Sequence, residues 1–248
     1  SKSVAENLAE LACSPGGLLL TEGELVLATE GGSSDLARQV LYAISAGRTK
    51  HNEIADAVRA DPTRTLDRLV SLRLIERLVP VTEDPARTRR RTYRIEDNFL
   101  AFWLGVLSRY RAEIERGLGR SILPVLITDL DDYLVPRWEE AFRLHLRRMA
   151  AQGELGEGVV AVGPYWTATD KPDEIDAVVL AGRERAAILV GEAKWARRVD
   201  GPRIRRSLER KAASLPVARK ELRFAVCARE EVTGADDLLA ITAQDIFG

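Results

Sequence analysis

Two segments decide how the second half of this chain folds: Glu174-Ile175-Asp176-Ala177-Val178-Val179-Leu180 and Ile188-Leu189-Val190-Gly191-Glu192-Ala193-Lys194-Trp195. Each is apolar on both faces over most of its length, the pattern of a strand buried inside a sheet. Ala181-Gly182-Arg183-Glu184-Arg185 reads as the turn between them, which makes the two strands antiparallel neighbours. Strand side chains alternate between faces, so Glu192 and Lys194 project from one side, and Asp176 can sit beside Glu192 at one end of the pair. Two close carboxylates repel unless a cation lies between them. Hard oxygen donors with a single lysine suit Mg²⁺ or Mn²⁺ rather than zinc. The plainer reading of Glu192-Ala193-Lys194 is an ion pair at a strand end. Three things set this one apart: it interrupts an apolar strand, Asp176 lies one hairpin earlier, and Gly191 leaves room beside the carboxylate.

Working outward, a helix is expected from about Arg137 to Gln152, ending at Gly153, with a strand near Val159 to Val162 and a loop over 163–172. A basic helix over about 202–215 leads to a strand over 222–228, then Leu238-Leu239-Ala240-Ile241 and a short terminal helix. One helix, a three-strand meander, a crossover helix and a further strand make an α/β layer architecture beginning near Pro136.

Upstream, residues 35–97 read as three helices and a hairpin. Asp35 caps the first, which stops at Gly47; His51 to Arg59 forms the second; Asp61-Pro62 opens a third carrying Leu66, Leu69, Val70 and Leu72 inward. Leu74 to Val79 and Arg91 to Ile95 read as strands around a polar loop. This order predicts a winged helix-turn-helix. Its third helix offers Arg64 and Arg68 outward, and its wing contains Arg89, Arg90 and Arg91, a set suited to a DNA groove and backbone. Asp61, Asp67 and Glu76 dilute that charge, and winged helices also serve as protein contacts. Residues 98–135 read as a helical connector, split at Gly117 to Gly119 into a helix from Phe99 to about Arg116 and one from Ser121 to Tyr133. Residues 1–34 read as an N-terminal helical tail or the end of an upstream domain, with a helix from Ser1 to Leu11; the absent initiator methionine suggests a segment upstream.

The chain's 248 residues carry a formal net charge of −1, so affinity for nucleic acid has to come from local patches. No apolar run reaches the roughly 20 residues of a membrane span, and no signal peptide is recognisable; the expectation is a cytoplasmic protein with no membrane partner. Cys13 and Cys227 have no redox or ligand spacing, His51 and His145 lack companions for zinc, and no P-loop is present. The four tryptophans (Trp103, Trp138, Trp166 and Trp195) read as packing residues, with base stacking by Trp166 or Trp195 an open alternative.

With those residues on the page, the second half resembles the PD-(D/E)XK nuclease superfamily. More closely, residues 35–248 resemble the C-terminal part of an archaeal and bacterial family of AAA-type ATPases, in which a winged helix and a nuclease-like domain follow the ATPase domain. The matching blocks are Tyr93 to Trp103, Trp138 to Phe142, Gly163 to Trp166, Asp173 to Asp176 and Gly191 to Trp195. The ATPase domain is absent from this chain. The resemblance implies an α+β or α/β fold with a restriction-endonuclease-like mixed sheet over 136–248. It further implies Mg²⁺ or Mn²⁺ held by Asp176 and Glu192, with Lys194 orienting or helping to deprotonate the attacking water. The superfamily often adds a glutamate from its first helix. Glu139 shares a face with Phe142, Leu146 and Met149, whereas Glu140 shares one with Arg143, Leu144 and Arg147, so Glu139 is the residue expected at the site. Lys211, on the basic helix, reads as a phosphate contact or a solvated side chain. The expected function is DNA binding with metal-dependent phosphodiester hydrolysis in an ATPase-linked system; the alternative is a non-catalytic binding or regulatory region on an idle nuclease fold.

Overall fold

In the computed structural model the described residues are 2–29, 34–169 and 172–248. They form a mixed α and β protein in two compact units, one of Ser1–Leu78 with Arg91–Tyr133, the other of Val79–Arg90 with Leu134–Gly248. Ser1, 30–33 and part of the loop expected over 163–172 (residues 170 and 171) lie outside the described residues.

The first unit opens with α1 (Val4–Leu11), where the Ser3 hydroxyl accepts the Glu6 N–H and the Glu6 carboxylate accepts the Ser3 N–H in return. The next helix, α2 (Leu18–Thr29), lies within the stretch read as a helical tail, where no bounds were expected for it; its apolar residues are spread around the helix and leave no single stripe to recognise. Next come α3 (Asp35–Ser45), α4 (His51–Val58) and α5 (Thr63–Ser71), then the antiparallel hairpin β1 (Ile75–Leu78) and β2 (Thr92–Ile95), with Ile75 opposite Ile95. Ser34, not Asp35, caps α3 by accepting the Ala37 N–H at 3.2 Å, while Asp35 stands in the first turn, where the helix dipole favours a carboxylate. The Asp61 carboxylate receives the Thr63 N–H at 3.0 Å and starts α5. Leu41, Ile54, Leu66, Leu69, Ile75 and Tyr93 close one core.

The single helix expected from Phe99 to Arg116 is instead broken up. Short α6 (Asn98–Phe102) passes into a π-helical turn over Trp103–Leu107, a 3₁₀ turn over Ser108–Tyr110, α7 (Arg111–Glu113) and a second π-helical stretch over Ile114–Leu118. Trp103, Leu104, Val106 and Leu107 are all buried in this π-helical turn. Trp103 lies against Gly23, where an added Cβ would come within 2.1 Å of the ring. The next helix, α8 (Gly119–Ala151), is continuous where separate helices from Ser121 and Arg137 were expected. Pro136 removes a backbone donor, but the carbonyl it deprives is that of exposed Asp132, which water can serve.

The second unit is built on a five-stranded mixed sheet. Its meander is β3 (Val159–Trp166), β4 (Glu174–Ala181) and β5 (Ala186–Ala193), and the chain continues through β6 (Arg198–Asp200), α9 (Gly201–Ala212), β7 (Ala218–Cys227), β8 (Glu231–Thr233), β9 (Leu239–Ile241) and α10 (Ala243–Phe247). The strand order is β3-β4-β5-β7-β9, with β6 and β8 forming a separate parallel pair. The meander is antiparallel, whereas β5, β7 and β9 run parallel, joined by the α9 crossover. One face of the sheet (Ala177, Val179, Leu189, Ala225) packs on Trp138, Phe142 and Leu146 of α8, and the other (Val178, Leu180, Val190) packs near Leu208 and Leu215 on the α9 side.

Strand β3 continues to Trp166, so 163–166 is strand rather than the start of a loop. Pro164 is tolerated because β3 is an edge strand with a register shift between Gly163 and Tyr165. Its outer side is met by the segment between the hairpin strands: Val81 N–H donates to the Pro164 carbonyl at 2.8 Å, and Arg185 donates to the Val81 carbonyl at 2.9 Å. Among the described residues no helix is long and apolar enough to cross a membrane.

Candidate functional site

Asp176 and Glu192 meet because of the register between β4 and β5. Ala177 pairs with Gly191 and Val178 with Val190; one further residue along, Asp176 stands against Glu192. Glu192 shares the parity of Val190, on the face covered by α9, while Asp176 lies at the register shift of β4 between Ile175 and Val178, both of which pack on that face. Lys211 lies three residues beyond Leu208 and follows it onto that face. Its Nζ is 2.7 Å from Glu192 Oε2, while Lys194 Nζ is 2.6 Å from Oε1. Glu192, only 6% exposed, therefore lies between two ammonium groups.

The two carboxyl groups are not equivalent. Burial pushes Glu192 upward, but hydrogen bonds and positive charge from Lys194 and Lys211 outweigh it and hold the group below the usual carboxylate range. For Asp176, burial dominates and pushes the carboxyl up; the Ala193 N–H, donating to Oδ2 at 2.8 Å, opposes this, and the charge of Glu192 adds to the rise. Burial alone would lower Lys194, yet Glu192 overcomes it, helped by Asp176 and Glu139, and keeps the ammonium above its ordinary value.

From α8, Arg143 braces the same end of the sheet. It is 2% exposed, donates from Nη1 to the Asp176 carbonyl at 2.8 Å and from Nε to Glu140 at 2.8 Å. Glu140 also accepts from Arg147 at 2.8 Å. Glu139 lies 3.9 Å from Arg143 Nη1, and it is the glutamate whose charge Lys194 feels. Among the described residues, no three His, Cys, Asp or Glu side chains gather closely enough to hold a metal by themselves. Any ion here would rest on Asp176 and Glu192, a number of carboxylates that Mg²⁺ commonly accepts with water filling the remaining positions.

Gly191 does not open space beside Glu192. It points to the opposite face, where a Cβ would come within 2.6 Å of Phe142 Cζ, so the aromatic ring of α8 fills the room that the glycine leaves. The ion pair of Lys211 with Glu192 and the bond from Arg143 to the Asp176 carbonyl were not expected from the residue pattern. Helical spacing from Leu208 was the available signal for the first; a buried arginine on the helix covering the sheet gave little signal for the second.

The arginines of the first half have different surroundings. Arg64 and Arg68 are exposed on α5, and Arg89 is exposed in the hairpin loop. Arg90 is half-buried, pairs with Glu83 and donates to the Trp166 carbonyl at 2.9 Å, so internal contacts already use its charge. Arg91 is half-buried next to β2. Nearby Arg94 pairs with Glu76 across the hairpin. His145 is half-buried, and burial together with Arg148 depresses its pKa, which favours a neutral ring.

A profile for a family of archaeal and bacterial proteins of unknown function, DUF234, matches residues 103–210. That stretch contains Glu139, Asp176, Glu192 and Lys194 and stops one residue short of Lys211. The chain is also similar to an uncharacterized protein of Methanocaldococcus jannaschii, 27% identical over 161 residues that make up 64% of this chain. It spans about a third of that relative, since the aligned part is 35% of the relative's length. No solved structure matches it.

Proposed function

We propose that this chain is a DNA-directed protein whose second unit is a PD-(D/E)XK-type nuclease, dependent on Mg²⁺ or Mn²⁺, and whose first unit is a winged helix-turn-helix. The observation that carries the proposal is the convergence of Asp176, Glu192, Lys194 and Lys211 at one end of a mixed sheet. Asp176 supports a cation because its buried carboxyl resists ionisation without one. A divalent ion at these carboxylates would lower the pKa of bound water and neutralise charge developing on the phosphate. Lys194 keeps its proton beside Glu192, so its role is to hold a phosphate oxygen or orient water, not to act as a base. Lys211 offers a second ammonium for the same anion, and Arg143 fixes the strand end that carries Asp176. In the first unit, exposed Arg64 and Arg68 on α5 supply the DNA contact, with half-buried Arg91 a further cation of that unit; Arg89 is an exposed cation of the second unit, where Arg90 mainly holds the loop. The remaining length of the relative leaves room for the AAA-type ATPase that the family resemblance suggests, and coupling to such a domain belongs to the proposal.

The idle-fold reading has its own support, because both oxygens of Glu192 already accept from lysines. Titration with Mn²⁺ followed by thermal melting, then incubation of wild type and Lys194→Ala with plasmid and single-stranded DNA, separates the readings. A rise in melting temperature with cleavage that Lys194→Ala abolishes supports the nuclease. Stabilisation without cleavage favours the idle fold, and the absence of both effects refutes the metal site.

A further inference from the structure

A second concavity lies at the same end of the sheet, on the face covered by α8. It has a volume of about 450 Å³, within the range of small-molecule sites. Its lining includes Trp138, Trp195, Arg229, Ala243 and Phe247, with Arg137 and also Glu230, whose charge is met by Arg197 at 3.4 Å. Trp195, Arg229 and Ala243 follow directly on the carboxyl ends of β5, β7 and β9, the three parallel strands. Crevices outside the carboxyl ends of parallel strands are where open α/β sheets bind ligands. Two of its aromatic walls are also sequence neighbours of the site already described, since Trp138 precedes Glu139 and Trp195 follows Lys194.

The chemistry of the lining selects an occupant. Trp138 and Trp195 meet edge to face at 5.6 Å, and Phe247 lies 6.4 Å from Trp138 with its own surface 72% exposed. The Arg229 guanidinium sits 4.3 Å over the Trp195 ring, adding a cation at the rim. Trp138 is 4% exposed and its indole nitrogen is buried, so it backs the aromatic surface that Trp195 and Phe247 present to the pocket. Aromatic surface from Trp195 and Phe247 beside the Arg229 cation suits a planar ring attached to an anion. Bare apolar ligands would leave the arginine unused.

We infer that this pocket receives one unstacked nucleobase, its phosphate toward Arg229, next to the nucleotide attacked at Asp176 and Glu192. The inference rests on the phosphodiester reading above and narrows its substrate to single-stranded or frayed nucleic acid, because a base in a continuous duplex cannot leave its stack at no cost. Stacking of this kind is tolerant of base identity.

The test uses the full chain in EDTA, so that no cleavage occurs, with an eight-nucleotide oligothymidylate as the probe and a blunt duplex of equal length as the control. The nitrogen-15 indole resonance of Trp138, assigned with Trp138→Phe, is expected to move with the oligothymidylate and not with the duplex. Trp195→Ala is expected to weaken binding by about tenfold or more, while Trp195→Phe retains most of it. Phe247→Ala and Arg229→Gln alter exposed or half-exposed positions and also weaken binding if Trp195→Ala fails to fold. An unmoved Trp138 resonance, or wild-type affinity in both of those variants, overturns the inference. Binding without cleavage in Mn²⁺ removes the nuclease proposal and leaves the pocket standing; cleavage without a Trp138 response does the reverse.

Discussion

Lys211→Met tests whether Glu192 depends on two ammonium partners. At 2.7 Å and an effective dielectric near 20, the lost attraction is about 6 kcal/mol gross. Most of that is offset because the lysine must also be desolvated, its side chain being 17% exposed beside an 8% exposed carboxylate. Glu192 keeps Lys194, so the net loss is close to that of one charge-assisted hydrogen bond, about 2 kcal/mol. This corresponds to a fall in melting temperature of about 4–8 °C for a chain of this size. Glu192→Gln loses both partners and is expected to cost about 3 kcal/mol, with little further loss in the double variant. The double-mutant cycle should therefore return a coupling of about 2 kcal/mol from urea unfolding at pH 7. The folded-state pKa of Glu192 is depressed, so its contribution is present above the ordinary value of 4.5 and is lost as pH falls through the folded value. The wild type–Lys211→Met difference must accordingly shrink in acid. A Lys211→Met change within 0.5 kcal/mol of wild type at pH 7, or a cycle without coupling, refutes the reasoning.

Gly191→Ala drives a Cβ toward Phe142 and should cost about 1–3 kcal/mol in urea unfolding, with partial recovery in the Phe142→Leu background. Asp176→Asn in EDTA should match or exceed wild-type stability at pH 7. The folded-state pKa of Asp176 is raised, so the wild type loses stability as pH rises from 3.8 to the folded value; the same variant should lose any Mn²⁺-induced rise in melting temperature. Cys227 is fully buried with its thiol pushed up to about 12, and Cys13 is buried with its thiol also raised. Neither should react with a thiol reagent at pH 8 until urea unfolds the chain.

The antiparallel pairing of β4 with β5 was legible because their apolar runs flank a short polar turn, and alternation then put Glu192 and Lys194 on one side, with Asp176 at the same end of the pair. The three helices and hairpin of the first unit were legible from caps, glycine stops and apolar spacing. The missed features share a cause: they depend on partners distant in sequence. The π-helical turn at Trp103 follows from packing that includes Gly23, β3 runs on to Trp166 because Tyr165 is buried and the edge accepts Pro164, and Gly191 is reserved for Phe142. Lys211 looked like one more cation on a basic helix, and only the crossover geometry brings it to Glu192.

The assignment of Val79–Arg90 to the second unit has a practical consequence for dissection of the polypeptide. The backbone passes from one unit to the other after Leu78, back after Arg90 and again after Tyr133, so no single cut yields both halves intact. A fragment starting at Leu134 would lack the Val81 amide that caps the Pro164 carbonyl and the Arg90 side chain that serves Trp166. Its edge strand would be left bare and prone to pairing with other copies. Supplying residues 79–90 in trans or by fusion, or keeping the chain whole, is the route to a soluble fragment.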